Sequence, residues 1–213
     1  MKIEFIIPTY KSYHNLISMV GCIMAQSSPD WILSIISDGD DDSINHEQIR
    51  FIRQLNDDRI NYTRISGPNN DWGHTARNYG LQKAKAEWVV MSGVDNYYAP
   101  KFVEYFMEEI KMDPDNIKFI YCDMVHNLVY GGYQPIKSQL RLSYIDIGNF
   151  VLENVNILIV GFSQGQSIFQ YILSHPSSSL RHRLVILPLI DDCQSGSNSA
   201  PKVSAHIRNA SEF

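Results

Sequence analysis

Cysteine is scarce in this chain of 213 residues: Cys22, Cys122 and Cys193 stand far apart, odd in number and without the paired spacing of a metal ligand set. That excludes a disulfide framework or a zinc site as the organising device and fits a reducing, cytoplasmic compartment. Basic residues are in the minority, 18 Lys and Arg against 23 Asp and Glu, for a formal net charge of -5. A nucleic-acid partner is not expected, because binding a phosphate backbone needs clustered cations that displace counterions. Long apolar runs are missing as well. The opening MKIEFIIPTY is too short for a signal peptide and carries Glu4, and FVLENVNILIVGF is broken by Glu153, Asn154 and Asn156, so no transmembrane segment is read. No basic amphipathic helix argues for a lipid surface, which leaves peripheral attachment through a partner open. Neither a solenoid period nor a coiled-coil heptad persists.

What is present is enough apolar residue, 44% of the chain, to bury the core of one α/β domain. Over 1–125, short β-rich runs alternate with helical periods, the pattern of crossover units building a mainly parallel sheet. A strand is expected over Ile3 to Ile7, and then Tyr13, Leu16, Ile17, Val20, Ile23 and Met24 recur at helical spacing. Further strands are expected over Trp31 to Ser37, Ile60 to Ile65, Trp88 to Ser92 and Ile117 to Asp123. Helices are expected around Ile49 to Leu55, over Thr75 to Ala84, and after Pro100. From His126 the alternation weakens around Gly131 and Gly132, and irregular structure is expected through 126–176. The stretch 177–213 ends small and polar and reads as a loosely ordered tail.

In open α/β sheets ligands bind beyond the carboxyl ends of the strands, which here carry IPTYK, SDGDDD and SGVDNYY. These, with GHTARNYGLQKAKAEWVVMSGVDNYYAPKFVE, resemble the family 2 glycosyltransferases in their order and spacing. The resemblance implies a GT-A (Rossmann-like) three-layer α/β sandwich with a mixed, mainly parallel sheet. It makes 1–125 a nucleotide-sugar-binding core and 126–176 the acceptor-side part of the same domain. It also implies a UDP- or GDP-sugar donor, a glycan or lipid-linked acceptor, and a place in glycan or polysaccharide synthesis.

By position, the resemblance assigns the nucleotide to Pro8, Thr9, Tyr10, Asp38 and Arg77. The chemistry of these residues agrees. A carboxylate at Asp38 can accept from a base N–H or a ribose hydroxyl, Tyr10 can border the base, and the Arg77 guanidinium can fork onto phosphate or ribose oxygens. An isolated DGDDD would read as a solvated turn and helix cap, and Asp40, Asp41 and Asp42 keep that reading. His74 reads as a residue that caps or borders its helix.

The family's acidic loop after strand four departs from its pattern here. Gly93 stands where the first Asp of an Asp-X-Asp signature falls, and Asp95 stands at the second. Mg²⁺ or Mn²⁺ is the implied cofactor, with Asp95 the metal ligand and the metal weakly held or dispensable, since Mg²⁺ sites often use one or two protein carboxylates. The alternative at Asp95 and Asn96 is a turn hydrogen-bonded to the backbone. Asp123 resembles an acid on the acceptor side of the family's pocket, and His126 lies three residues beyond it.

Inverting transfer needs a general base, which in the family follows a Gly-Phe segment. Val160, Gly161 and Phe162 resemble that segment, but SQGQSIFQYILSHP after it has no carboxylate. The catalytic residue is therefore unassigned, and an altered or truncated C-terminal part with weak or absent transfer is one expectation. A non-catalytic sugar-nucleotide binder is a second reading. A third is a serine esterase or thioesterase, because Gly161-Phe162-Ser163-Gln164-Gly165 matches a nucleophile elbow, with Asp191 or Asp192 and then His206 in triad order.

Overall fold

The computed structural model describes residues 1–39, 41–115, 117–128, 132–138, 147–154, 183–187 and 206–209. Strand β1 (Ile3–Thr9) is flanked by β2 (Trp31–Asp38) and β4 (Trp88–Met91), both parallel to it, and β3 (Ile60–Ile65) pairs in parallel with β2. Between them run α1 (Tyr13–Met24), α2 (Asp42–Leu55) and α3 (His74–Lys83), and α4 (Phe102–Met112) follows β4. Beyond β4 the sheet changes direction. Strand β8 (Phe150–Glu153) lies antiparallel between β4 and β5 (Phe119–Cys122). Strand β9 (Arg183–Leu187) then adds in parallel to β5, and β10 (His206–Asn209) pairs antiparallel with β9. The order is β10-β9-β5-β8-β4-β1-β2-β3, mixed and mainly parallel.

Alternation along β1 explains the three layers, because neighbouring strand residues face opposite sides of a sheet. Ile3, Phe5 and Ile7 belong to a core shared with α1, α2 and α4, whereas Ile6 packs with Leu81 of α3 on the other face. Burial of α1 runs through Leu16, Met19, Val20 and Ile23. The expected face included Ile17 and Met24, which the structure leaves exposed at 37% and 40%. The stripe is centred between Leu16 and Ile23, and Ile17 and Met24 fall beyond its Val20 edge. Each fully buried side chain of this size contributes about 1.5–3 kcal/mol.

Two polar devices fix the strands and helix ends. Glu4 is buried in the central strand, where one carboxylate oxygen accepts from the backbone N–H groups of Lys85 (2.7 Å) and Ala86 (3.1 Å) and the other from Ser34 Oγ (2.6 Å). Asp41 caps α2, accepting from the Ile44 N–H at 3.0 Å, as its place in the acidic turn predicts.

The region expected to be irregular contains a hairpin of its own. Strands β6 (Met124–Leu128) and β7 (Gly132–Ile136) pair antiparallel and form a separate sheet. Gly132, Tyr133, Gln134 and Pro135 are all exposed, so β7 has no apolar alternation to announce it. Two strands, β9 and β10, lie within 177–213, and the rest of that stretch is outside the described residues. Among the described residues no helix is long and apolar enough to cross a membrane.

Candidate functional site

The carboxyl ends of β1, β2 and β4 open into one cavity of about 490 Å³. Pro8, Thr9, Tyr10, Asp38, Arg77 and Asp95 all line it, drawn from segments far apart in sequence. Pro68, Asn70, Asp71, Trp72 and Gly73, from the loop between β3 and α3, complete one wall. Of these five, the sequence had marked only Gly73, the first residue of the GHTARNYG segment that resembles the family's motif. A loop rich in Gly, Pro, Asn and Asp was legible, but its position beside β1 depends on contacts distant in sequence.

Thr9 ends β1 and is 2% exposed, and its Oγ1 is buried with no hydrogen-bond partner among the described residues. Leaving a buried hydroxyl unpaired costs about 1–3 kcal/mol, which marks this wall as one a ligand can complete. Tyr10 is half-exposed, with the Lys11 ammonium 5.1 Å from its ring centroid. Asp38 ends β2 and is buried; its Oδ1 accepts from Asn69 Nδ2 at 2.5 Å, tying it to the loop after β3. A carboxylate offers about four acceptor positions, so Asp38 retains capacity for a ligand N–H or O–H.

Arg77 lines the cavity with its guanidinium engaged by backbone carbonyls. It is 7% exposed, and Nε and Nη2 donate to the Ser92 carbonyl at 3.2 and 3.0 Å while Nη1 donates to the Trp72 carbonyl at 2.8 Å. The guanidinium thus joins the loop before α3 to the end of β4. Gly73 makes this approach possible: its φ is +79°, and a Cβ there would lie 2.9 Å from the Pro8 ring. His74 opens α3; burial first, and then the charge of Arg77, hold its imidazole below the ordinary value against the opposing pull of Asp71. Asp71 receives the Thr75 N–H at 2.8 Å and the Thr75 hydroxyl at 2.5 Å. Burial pushes the Asp71 carboxyl up, but these hydrogen bonds and the nearby imidazole outweigh it and leave the group below its usual range.

The loop after β4 is anchored from behind. Tyr98 stacks edge-on against Phe5 and Phe102, with centroids 5.0 and 4.6 Å away, and donates its hydroxyl to the Gly148 carbonyl at 2.9 Å. Gln26, two residues past α1, accepts from the Val103 N–H and donates to the Ala99 carbonyl, and so fixes the entry to α4. Asp95 is exposed on this loop, and Asn96 donates to Ser92 Oγ at 3.1 Å. Among the described residues no cluster of three or more His, Cys, Asp or Glu could hold a metal ion. The donor set suits a divalent cation that takes one protein carboxylate and draws its other ligands from phosphate and water.

Asp123 is not among the described residues that line the cavity, and it accepts from the Ser138 N–H at 2.9 Å. Burial, and then the Asp123 charge, push the adjacent Cys122 thiol up to about 12. His126 sits in β6 opposite Gln134. Gly161, Phe162, Ser163, Asp191 and Asp192 lie outside the described residues, and His206 begins β10.

The sheet and its three layers define an α/β fold of the glycosyltransferase type, which the comparisons bear out. Residues 4–165 match the profile described as Glycosyl transferase family 2, and the chain belongs to that family. That match runs through Gly161-Phe162-Ser163-Gln164-Gly165, the segment that also resembled a nucleophile elbow. An uncharacterized glycosyltransferase of Haemophilus influenzae is 24% identical over 141 residues, which cover 64% of this chain and 45% of the relative. S. aureus TarS is similar in structure, with a TM-score of 0.56 at 16% identity, covering 72% of this chain and 28% of TarS. TarS 1-349 in complex with UDP-GlcNAc gives a TM-score of 0.56 at 16% identity, covering 72% of this chain and 46% of that one. This chain therefore spans less than half the length of these relatives.

Proposed function

We propose that the cavity binds the nucleotide part of a sugar-nucleotide donor and that the chain transfers the sugar, with inversion, to an acceptor hydroxyl. The observation that carries this reading is the convergence of Pro8, Thr9, Tyr10, Asp38, Arg77 and Asp95 on one cavity at the strand ends. Asp38 accepts from the base or ribose, Thr9 Oγ1 finds in the nucleotide the partner that the described residues do not supply, and Tyr10 borders the base. S. aureus TarS was solved with UDP and with UDP-GlcNAc, which supports testing uridine nucleotides first and GDP second.

Charge supports a cation carried in with the nucleotide. Among the described residues Asp38, Asp71 and Asp95 line the cavity against the one guanidinium of Arg77, an unfavourable setting for a bare diphosphate. Asp95 would hold Mg²⁺ or Mn²⁺, which when bound supplies charge neutralisation for the departing diphosphate. In the transfer the acceptor oxygen bonds to the anomeric carbon as the bond to the diphosphate oxygen breaks, and the acceptor proton passes to a base. The chain from Ser163 to Ile190 contains no carboxylate, which favours as the second reading a binder with impaired turnover.

Calorimetric titration of UDP and GDP, with and without Mn²⁺, into the wild type and into Asp38→Ala and Asp95→Ala tests the site. Cation-assisted binding lost in both variants supports the reading, and no binding under any condition overturns it. Hydrolysis or transfer from a bound UDP-sugar separates the enzyme from the binder.

A further inference from the structure

Trp72 is 92% exposed while it lines the cavity, whereas Trp31 and Trp88 are buried at 1% and 3%. Its side chain stands in water, but its backbone is held. Its φ is 60°, its carbonyl accepts from Arg77 Nη1 at 2.8 Å, and its neighbours Asn70 and Gly73 are also left-handed. A left-handed φ on a bulky residue other than glycine is costly, and such conformations persist where surrounding contacts impose them, often at ligand sites. Among the described residues packing does not account for this placement, since Trp72 belongs to neither core cluster.

We propose that the Trp72 indole is a stacking wall for the nucleobase of the donor, an inference that rests on the nucleotide reading above. A nucleobase presents flat apolar faces and a polar edge, so its site needs a hydrogen-bonding group beside a flat apolar surface. The loop carrying Trp72 supplies both. Asn69 of that loop bonds the Asp38 carboxylate, and Pro68 and Trp72 line the cavity with it. Tyr10, the other aromatic residue of the lining, has the Lys11 ammonium 5.1 Å from its ring centroid. Because the Trp72 backbone is already fixed by Arg77, little ordering remains to be done when a base arrives, and preorganised surface of this kind favours binding.

The three tryptophans make the test direct, because only Trp72 among them is exposed to solvent and quenchers. UDP titration is expected to quench the long-wavelength part of the intrinsic fluorescence in the wild type and not in Trp72→Phe. By calorimetry, Trp72→Gly, which also relieves the backbone, is expected to raise the Kd for UDP and for GDP by about ten-fold or more, while Trp72→Phe stays within roughly three-fold. Inorganic pyrophosphate with Mn²⁺ is expected to bind the wild type and Trp72→Gly equally. Unchanged UDP affinity in Trp72→Gly would overturn the proposal and leave the nucleotide site standing. So would a loss confined to UDP-GlcNAc, which would place the sugar and not the base on the indole, or an equal loss for pyrophosphate. Failure of the wild type to bind UDP or GDP would overturn the nucleotide reading and this inference with it.

Discussion

A Cβ on Gly93 would lie 2.5 Å from Oδ1 of Asp95: the Asp95 carboxylate occupies the space that a side chain at 93 would need. The loop after β4 thus keeps one acid where the family resemblance leads one to expect two, and that acid turns back over the glycine. Gly93→Asp is expected to displace the Asp95 carboxylate and to place two acids in the loop. Adjacent carboxylates disfavour each other's charge unless a cation sits between them. Mn²⁺ affinity in the presence of UDP, followed by electron paramagnetic resonance, should rise several-fold in Gly93→Asp and fall in Asp95→Asn. If both variants bind Mn²⁺ like the wild type, Asp95 is a turn residue and not a ligand.

A second close approach sets the position of α3. A Cβ on Gly80 would lie 2.3 Å from Ile6 Cγ2 and 3.5 Å from Ile36 Cγ1, so the helix lies directly on β1 and β2. Gly80→Ala is expected to destabilise the fold by about 1–3 kcal/mol, the usual cost of overpacking, despite the better helix propensity of alanine. In Gly80→Ala/Ile6→Ala the methyl fills part of the space that Ile6 vacates. Urea denaturation of the double variant should therefore show a loss smaller than the sum of the single losses. Additive losses would mean that the helix moves away and the contact is relieved elsewhere.

Much of this arrangement was legible in the sequence, and the rest was hidden for identifiable reasons. Strands β1 to β5 and helices α1, α2 and α4 carry local apolar periods that give their order, whereas α3, HTARNYGLQK, was legible only from its place between a polar loop and the next strand. Asp38 and Asp95 could be placed at strand ends because those strands were recognisable. The hydrogen bonds of Arg77 to Ser92 and Trp72 could not be read, since a guanidinium suits a carbonyl as well as a phosphate. The bond that Asp123 accepts from the Ser138 N–H was hidden as well, because that partner is fifteen residues away across a hairpin with no apolar alternation. Trp72 went unnoticed because neither exposure nor a left-handed φ leaves a mark on an isolated residue letter.

Acid is expected to act on the start of α3 in two stages. His74 has a folded pKa below its ordinary value of about 6.5, so the unfolded chain takes up this proton first. Its contribution to stability is complete above that value and is lost as pH falls toward the folded pKa. Asp71 also has a lowered folded pKa, so its contribution is complete above the ordinary carboxylate value of about 3.9 and is lost only as pH falls through the depressed one. His74→Gln should therefore remove the part of the stability slope that begins near neutral pH and reduce, without abolishing, the strongly acidic part, since Asp71 keeps its Thr75 hydrogen bonds. Urea midpoints measured across pH for wild type and His74→Gln check this, and parallel curves would refute it.

Arg77→Lys separates two roles for the same positive charge. If Arg77 acts by bonding the nucleotide, lysine preserves the charge and much of the binding, because an ammonium still attracts phosphate. If it acts through the Ser92 and Trp72 carbonyls, a single ammonium cannot reproduce the planar fork that reaches both loops. The structure favours the second role, so Arg77→Lys is expected to weaken UDP binding about as much as Arg77→Gln does. The two substitutions should also change the iodide quenching of Trp72 in the absence of nucleotide, a response that loss of a direct phosphate contact alone would not produce. Retained UDP affinity in Arg77→Lys together with unchanged quenching would return Arg77 to the phosphate.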